Sequence, residues 1–378
     1  MKLVVDKNIP LAEKAFKPLG ELRLVETGTF GPETVRDADI LIVRSETKVD
    51  RRLLDGSAVK FVGTVTIGTD HIDIEYLTSR GIVFASAPGS NANSVKEYIV
   101  AALLRLDIGL KGKSVGIVGV GNVGSKVEKA CRVLGMEVLL NDPPLARSTG
   151  DRKYLPLDAL MECDILTVHV PLTRTGPDPT YHLFDRDRLG KLKPESLFLN
   201  TSRGAVVETT ALRNALSSGH IANSVIDVWE NEPDIDLDLL SVVSLATPHI
   251  AGYSLDGKVN AVRIIHHELS RFLSGSSDER LDVPSAGTSE IAVPASHQPV
   301  ERVLYDVIRQ CYDIDVDDHA LRQMTDIPEA DRGAYFRKLR KTYRIRREFS
   351  NVSVRIPREF AELEPILSEL GFRTSRKT

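Results

Sequence analysis

Short apolar runs separated by polar, helix-compatible stretches fill the first ninety residues. Leu3–Val5, Leu22–Val25, Ile40–Val43, Phe61–Val65 and Ile82–Ala85 are rich in Val, Ile and Leu and bounded by Gly, Pro or Asp, so they predict strands. Leu11–Leu19 and Glu33–Ala38 leave room between them for helical turns. Such alternation predicts a parallel sheet covered on both faces. A longer helix follows, with Ser94 as its expected N-cap and Glu97 three residues on, the spacing of a capping box. Its apolar positions (Val95, Ile99, Val100, Leu103, Leu104) suit burial at a domain junction.

A second alternating series supplies six expected strands: Val115–Val118, Glu137–Leu140, Ile165–Val168, Leu197–Asn200, Ser224–Asp227 and Val242–Leu245. Six strands with helical connections fit a doubly wound nucleotide-binding fold. Ser254 then caps an expected helix carrying Val259, Val262, Ile265, Leu269 and Phe272 at three-to-four spacing, which can return the chain to the first sheet. Ser274 to about Val300 is rich in Ser, Pro, Gly and Ala and reads as a linker. Beyond it come helical patterns at Glu301–Cys311 and Ala334–Tyr343, a strand at Val352–Ile356 and a helix at Glu362–Leu370 closed by Gly371. The expected architecture is α/β: two doubly wound parallel-sheet (Rossmann-like) domains, residues 1–93 with 254–285 and residues 94–253, plus a small C-terminal α+β domain, residues 286–378.

Composition narrows the class. The 378 residues carry 49 Lys and Arg against 53 Asp and Glu, a net charge of −4, with 42% hydrophobic and 27% charged residues. That is ordinary for a globular protein and offers no basic field for nucleic acid or anionic membrane. No apolar run approaches the ~20 residues of a membrane helix, and the first residues lack the pattern of a signal peptide. Three widely spaced cysteines (Cys131, Cys163, Cys311) argue for a reducing, cytoplasmic setting and against a disulfide framework or zinc knuckle.

Gly119-Val-Gly121-Asn122-Val123-Gly124 follows an expected strand and opens a helix, the context a dinucleotide fingerprint requires. Gly119 permits the tight turn, Gly121 lets the backbone approach a pyrophosphate, and Gly124 allows close helix–strand packing. Asp142, at the end of the next strand, sits at about the ~20-residue offset of a ribose-binding carboxylate. A structural βα turn with a solvated Asp is the plainer alternative. Three later strand ends each bear a polar group: Arg203 in Asn200–Ala205, Glu232 after Asp227-Val-Trp-Glu-Asn, and His249 after Thr247-Pro. In an open parallel sheet, ligands collect beyond the strand carboxyl ends. Histidine suits proton transfer near neutrality, a carboxylate can orient it, and a guanidinium can hold a substrate carboxylate bidentately.

With these residues in place, the chain resembles the D-isomer-specific 2-hydroxyacid dehydrogenase family over about residues 1–285. Arg203, Glu232 and His249 fall on that family's catalytic Arg, Glu and His. Val43–Val49, Gly63–Asp73, Asn141–Pro144, His249–Tyr253 and the basic run Arg340–Phe349 extend the likeness over nearly the whole chain, to one branch of the family. The resemblance implies an NAD-dependent dehydrogenase of a small phosphorylated hydroxy acid with four carbons. It implies substrate contacts at Ser45, Thr66 and Tyr253. Its implied cofactor contacts are Gly119, Gly121, Asn122, Val123, Gly124, Asp142, Val170, Thr201, Ser202, Arg203, Asp227 and Gly252. It also implies a homodimer formed through the C-terminal domain, with no nucleic-acid, membrane or metal partner. Two positions depart from the pattern: Val170 stands where Thr is expected, and Thr201-Ser202 replace Ala-Cys.

Two rival readings stay open at this level. One is a family member acting on another 2-hydroxy acid, such as 3-phosphoglycerate; the other is an NAD-sensing binding protein of the corepressor type. Other features have plain readings. His266-His267 belongs to helix packing, Asp70-His71-Ile72-Asp73 to a capping turn, Trp229 to packing under the Glu232 loop, and Asp313, Asp315, Asp317 and Asp318 to a solvated acidic loop. A phosphorylated substrate needs cations beyond Arg203. Arg44 is one candidate and the run Arg337, Lys338, Arg340, Lys341, Arg344, Arg346 and Arg347 is another, with Arg346–Arg347 expected to reach the cleft from the C-terminal domain, within one chain or across a dimer.

Overall fold

Five apolar runs of the first ninety residues assemble into one parallel sheet. Strands β1 (Lys2–Asp6), β2 (Glu21–Val25), β3 (Ile40–Val43), β4 (Phe61–Thr64) and β5 (Val83–Ala85) lie in the order β2-β1-β3-β4-β5. The computed structural model describes residues 1–275, 281, 289–294 and 298–376. The chain divides into two compact units, Met1–Asn91 with Ser254–Ala286 and Ala92–Tyr253 with Gly287–Thr378.

In the first unit, the helix Leu255–Ser274 covers one face of the sheet. Its Val262, Ile265 and Leu269 join Leu3, Val5, Ile40, Ile42 and Phe61 in one buried cluster. Ser254 caps it as expected, its Oγ accepting the Gly257 N–H at 2.8 Å. Gly63 is the reason the helix sits so close. A Cβ there would lie 2.8 Å from Ile265 Cγ2.

The second unit is built on six parallel strands: β6 (Ser114–Val118), β7 (Glu137–Asn141), β8 (Ile165–Val168), β9 (Ser196–Asn200), β10 (Ile221–Ile226) and β11 (Leu245–Ala246). Their order is β11-β10-β9-β8-β6-β7. Strand order reverses between β6 and β8, the switch point at which open α/β sheets bind ligands. Register brings the strand ends level, with Val118 opposite Asn141 and Val168, and Val168 opposite Asn200. One expected strand is only partly realised: of Val242–Leu245, Val242 ends a helix and Leu245 alone joins the sheet. Leu237–Val242 is helical because Asp236 caps it, accepting the Leu239 N–H at 2.7 Å, so only Leu245–Ala246 pair with β10.

The C-terminal segment adds a parallel sheet of β12 (Ser289–Ala292), β13 (Val352–Ile356) and β14 (Arg373–Arg376), in that order. Most of the expected linker lies outside the described residues, and the part within them includes β12. The helix Val300–Cys311 packs on the helix Ala92–Arg105, and the helix Leu363–Leu370 packs on Gly124–Val133. Val303, Leu304, Val307 and Ile308 accordingly share one core with Tyr98, Leu103, Val115 and Ile117.

Polar side chains bind this segment down. Ser94 is not an N-cap: its helix starts at Ala92, and its hydroxyl donates to Glu348 Oε1 at 2.8 Å. Glu97 Oε1 instead accepts the Phe349 N–H at 2.9 Å, while burial among Lys96, Glu348 and Arg346 pushes its carboxyl up. The acidic group is no solvated loop either. Asp313 caps the helix Ile314–Arg322, Asp317 is buried and accepts from Tyr343 at 2.9 Å and from Arg344, and Asp318 takes the Ala246 N–H at 2.7 Å. Among the described residues no helix is long and apolar enough to cross a membrane.

Candidate active site

The turn after β6 is shaped by steric demand at two glycines. Gly119 has φ +88° and would bring a Cβ 2.8 Å from the His169 carbonyl oxygen; a Cβ on Gly124 would lie 2.0 Å from the Gly119 oxygen. Gly121 is different. A Cβ there would meet no protein atom within 4 Å, so its backbone is open on that side. Asn122 is exposed beside it, and Val123 leads into the helix Gly124–Val133. Asp142 sits across the turn, its Oδ2 accepting the Val120 N–H at 2.8 Å and its Oδ1 the Leu145 N–H at 3.0 Å. Each oxygen keeps a lone pair, enough to receive ribose hydroxyls.

His169, Val170 and Thr201 follow β8 and β9. His169 accepts or donates at both nitrogens, 3.0 Å from Thr167 Oγ1 and 3.3 Å from Thr201 Oγ1, and burial lowers it to about 3. It is a neutral, positioned ring at neutral pH. Ser202 donates both its N–H and its hydroxyl to Asn200 Oδ1, at 3.0 and 2.8 Å, and Asn200 Nδ2 donates to the Arg203 carbonyl at 3.0 Å. This small lattice fixes the backbone that carries Arg203. Gly204 then abuts the next loop, where a Cβ would lie 2.0 Å from the Trp229 carbonyl carbon.

The Glu232 loop is fixed from within. Glu232 Oε1 accepts the Trp229 N–H at 2.8 Å, and Trp229 Nε1 donates to the Thr247 carbonyl at 3.0 Å, the packing role expected of it. Oε2 of Glu232 lies 2.7 Å from His249 Nδ1. A carboxylate acceptor puts the proton on Nδ1 and leaves Nε2 as the ring's basic nitrogen. Burial raises the Glu232 carboxyl, but the His249 charge, the hydrogen bonds from His249 and Trp229 and the charge of Arg340 outweigh it, so it is held below the ordinary value.

Asp227 organises the last loop. Buried, it accepts from Thr247 Oγ1 at 2.6 Å, from the Ile250 N–H at 2.7 Å and from the Ala251 N–H at 3.0 Å, which seats His249 at φ +56° and leads into Gly252. Burial raises its carboxyl despite those bonds and the nearby His249. Tyr253 stands edge-on to Tyr343, ring centres 5.7 Å apart. The second unit thus gathers Arg203, Glu232, His249, Tyr253 and every expected cofactor residue. Ser45 and Thr66 belong to the first unit, just past the ends of β3 and β4, with Thr66 Oγ1 2.8 Å from Thr64 Oγ1 and donating to the Gly68 carbonyl.

Two expectations for the basic run change. Arg346 does not reach a cleft: it is 2% exposed, lies 3.9 Å above the Tyr312 ring and donates to the Ser94 and Ala251 carbonyls. Arg340, which nothing in the sequence set apart from its basic neighbours, lies instead 5.6 Å from the Tyr253 ring centre. His169, Asn200 and Gly204 were also missed. Only their place within a few residues of expected strand ends hinted at them.

The family model for the D-isomer specific 2-hydroxyacid dehydrogenase NAD binding domain matches residues 92–251. The erythronate-4-phosphate dehydrogenase of Hahella chejuensis is 40% identical over 383 residues, covering all of both chains. The chain belongs to the D-isomer specific 2-hydroxyacid dehydrogenase family. It is an NAD-dependent dehydrogenase, and the relatives it matches end to end lie in the erythronate-4-phosphate dehydrogenase branch. The enzyme of that name from Salinibacter ruber is 43% identical over 94% of each chain. A family model for a domain of unknown function, DUF3410, matches residues 283–371. Among solved structures, NAD+-bound 3-phosphoglycerate dehydrogenase from Entamoeba histolytica superposes with a TM-score of 0.63 at 23% identity, covering 75% of this chain and 99% of its own.

Proposed function

We propose that this dehydrogenase oxidises 4-phospho-D-erythronate to 2-oxo-3-hydroxy-4-phosphobutanoate, a step toward pyridoxine. The observation that carries the reading is the 2.7 Å His249–Glu232 pair, set on a loop that abuts the one bearing Arg203, in a chain matched along its full length by enzymes of that name. Bound NAD supplies the hydride acceptor. Arg203 holds the substrate carboxylate and draws the neighbouring hydroxyl into place. Nε2 of His249 takes the hydroxyl proton as the C–H hydrogen leaves as hydride, and Glu232 stabilises the imidazolium that forms. Gly119, Gly121 and Gly124 admit the pyrophosphate to the helix end, Asp142 receives the ribose hydroxyls, and Ser45, Thr66 and Tyr253 contact the substrate.

We further take the chain to work in the cytoplasm as a homodimer joined through its C-terminal part. The deciding experiment is an NADH-formation assay with 4-phosphoerythronate, 3-phosphoglycerate and simple 2-hydroxy acids. Highest kcat/KM with 4-phosphoerythronate is expected. Preference for 3-phosphoglycerate would move the chain to another branch chemistry, and no turnover of any would leave an NAD-sensing role.

A further inference from the structure

Arg340 occupies the last turn of the helix Glu329–Lys341, and that helix is docked on the loop carrying Glu232. Gly333 makes the docking possible: a Cβ there would lie 2.6 Å from Asp234 Oδ1 and 3.3 Å from Pro233 Cγ. Two turns on, the Arg340 guanidinium faces the Tyr253 ring, with a hydrogen bond to Tyr253 that favours its protonated form. Its Nε is buried and has no hydrogen-bond partner. The acids that act on it, Glu232 and Asp227, are already engaged by His249 and by the Thr247–Ala251 loop.

A largely desolvated guanidinium without a carboxylate at pairing distance is costly unless an anion arrives to meet it. The substrate is the anion that belongs beside Tyr253. Its carboxylate falls to Arg203, whose backbone the Asn200–Ser202 lattice fixes, so the remaining negative group is the phosphate. We propose that Arg340 binds the substrate phosphate and determines specificity for a phosphorylated hydroxy acid. The C-terminal segment thereby contributes a binding residue to the active site of its own chain. This rests on the reading of the reaction given above.

The test compares wild type with Arg340→Gln and Arg340→Lys, each with NAD bound. Losing a charge-assisted contact of about 2 kcal/mol corresponds to roughly a 30-fold rise in KM for 4-phosphoerythronate. The lysine variant should recover part of the loss, since it keeps the charge without the fork. The Kd for NAD should stay put, and inorganic phosphate should lose its competitive inhibition in parallel. An unchanged KM and phosphate Ki in a folded variant overturns the proposal. So does a shifted acid limb of the pH profile with KM intact, because Arg340 would then act only through Glu232. Should wild type ignore 4-phosphoerythronate, the reaction assignment fails by itself. Calorimetry of phosphate binding to NAD-loaded wild type and Arg340→Gln still decides the role of Arg340, and equal affinities reject it.

Discussion

His249 and Glu232 make a two-residue device whose sign can be checked. The carboxylate favours the charged imidazole, so in Glu232→Gln the acid limb of kcat/KM moves to lower pH and kcat falls, by about 10²–10⁴-fold if proton transfer limits turnover. A pH–rate profile with both limbs unmoved would break the pairing. Asp142 carries the cofactor choice. Asp142→Asn keeps an acceptor for only one of the Val120 and Leu145 N–H groups, turning its amide NH2 toward the other, and removes the charge that repels a 2′-phosphate. The ratio of Kd values for NADP and NAD should therefore fall by about tenfold or more, measured by fluorescence titration, while the N–H group left facing the amide lowers stability by about 1 kcal/mol. The strand-end positions of Arg203, Glu232, His249 and Asp142 were legible in the sequence, as polar residues just beyond expected apolar runs. Arg340 was not. Seven cations crowd residues 337–347, and only packing separates the buried one at Tyr253 from its neighbours.

At the scale of elements, loops lean on one another through missing side chains and shared carboxylates. Gly204→Ala puts a methyl group onto the Trp229 backbone, so the Arg203 loop must retreat. A displacement near 1 Å is enough for about a 100-fold loss of kcat/KM with NAD affinity retained, read by steady-state kinetics and titration together. Asp164 joins strand starts: it accepts from the Ser114 N–H and hydroxyl at 2.8 Å and from Lys193 Nζ at 2.6 Å. The hydrogen bond from Lys193, first, and that from the Ser114 N–H hold its carboxyl well below the ordinary 3.8. A depressed acid stabilises the fold above its unfolded value and loses that contribution as pH falls toward its folded one. Asp164→Asn should flatten the fall of stability below about pH 4 in urea melts, and an unaltered acid limb would count against the account. Hydrophobic alternation located β3, β8 and β13 to the residue. It started the last strand too early, at Val242, where an Asp-capped helix still runs, and it misread Ser94–Glu97, where a capping spacing serves tertiary hydrogen bonds instead.

For the molecule as a whole, residues 287–378 are not an appendage. Val303, Leu304, Val307 and Ile308 complete the core around the helix Ala92–Arg105, and burial of such side chains is worth about 1.5–3 kcal/mol each. Their loss alone rivals the roughly 5–15 kcal/mol of a domain's net stability. A chain ending at residue 286 should therefore partition into the insoluble fraction or lack a cooperative melt. A soluble fragment with a sharp transition and full NAD affinity would contradict this. The sequence announced three of the segment's helices and the strand Val352–Ile356, but not β12, β14 or the helix Ile314–Arg322, nor the attachment, since amphipathic helices such as Val300–Cys311 look alike whether they close their own core or another's.

That attachment also sets a schedule. The helix Ala92–Arg105, buried on nearly every side, emerges from the ribosome some two hundred residues before the helix that covers it. At about 5–20 residues per second, its apolar face waits on the order of 10–40 s for a partner. Synthesis, rather than the finished fold, is where this chain is most exposed to aggregation. Its dependence on holding chaperones should track translation speed through residues 106–300.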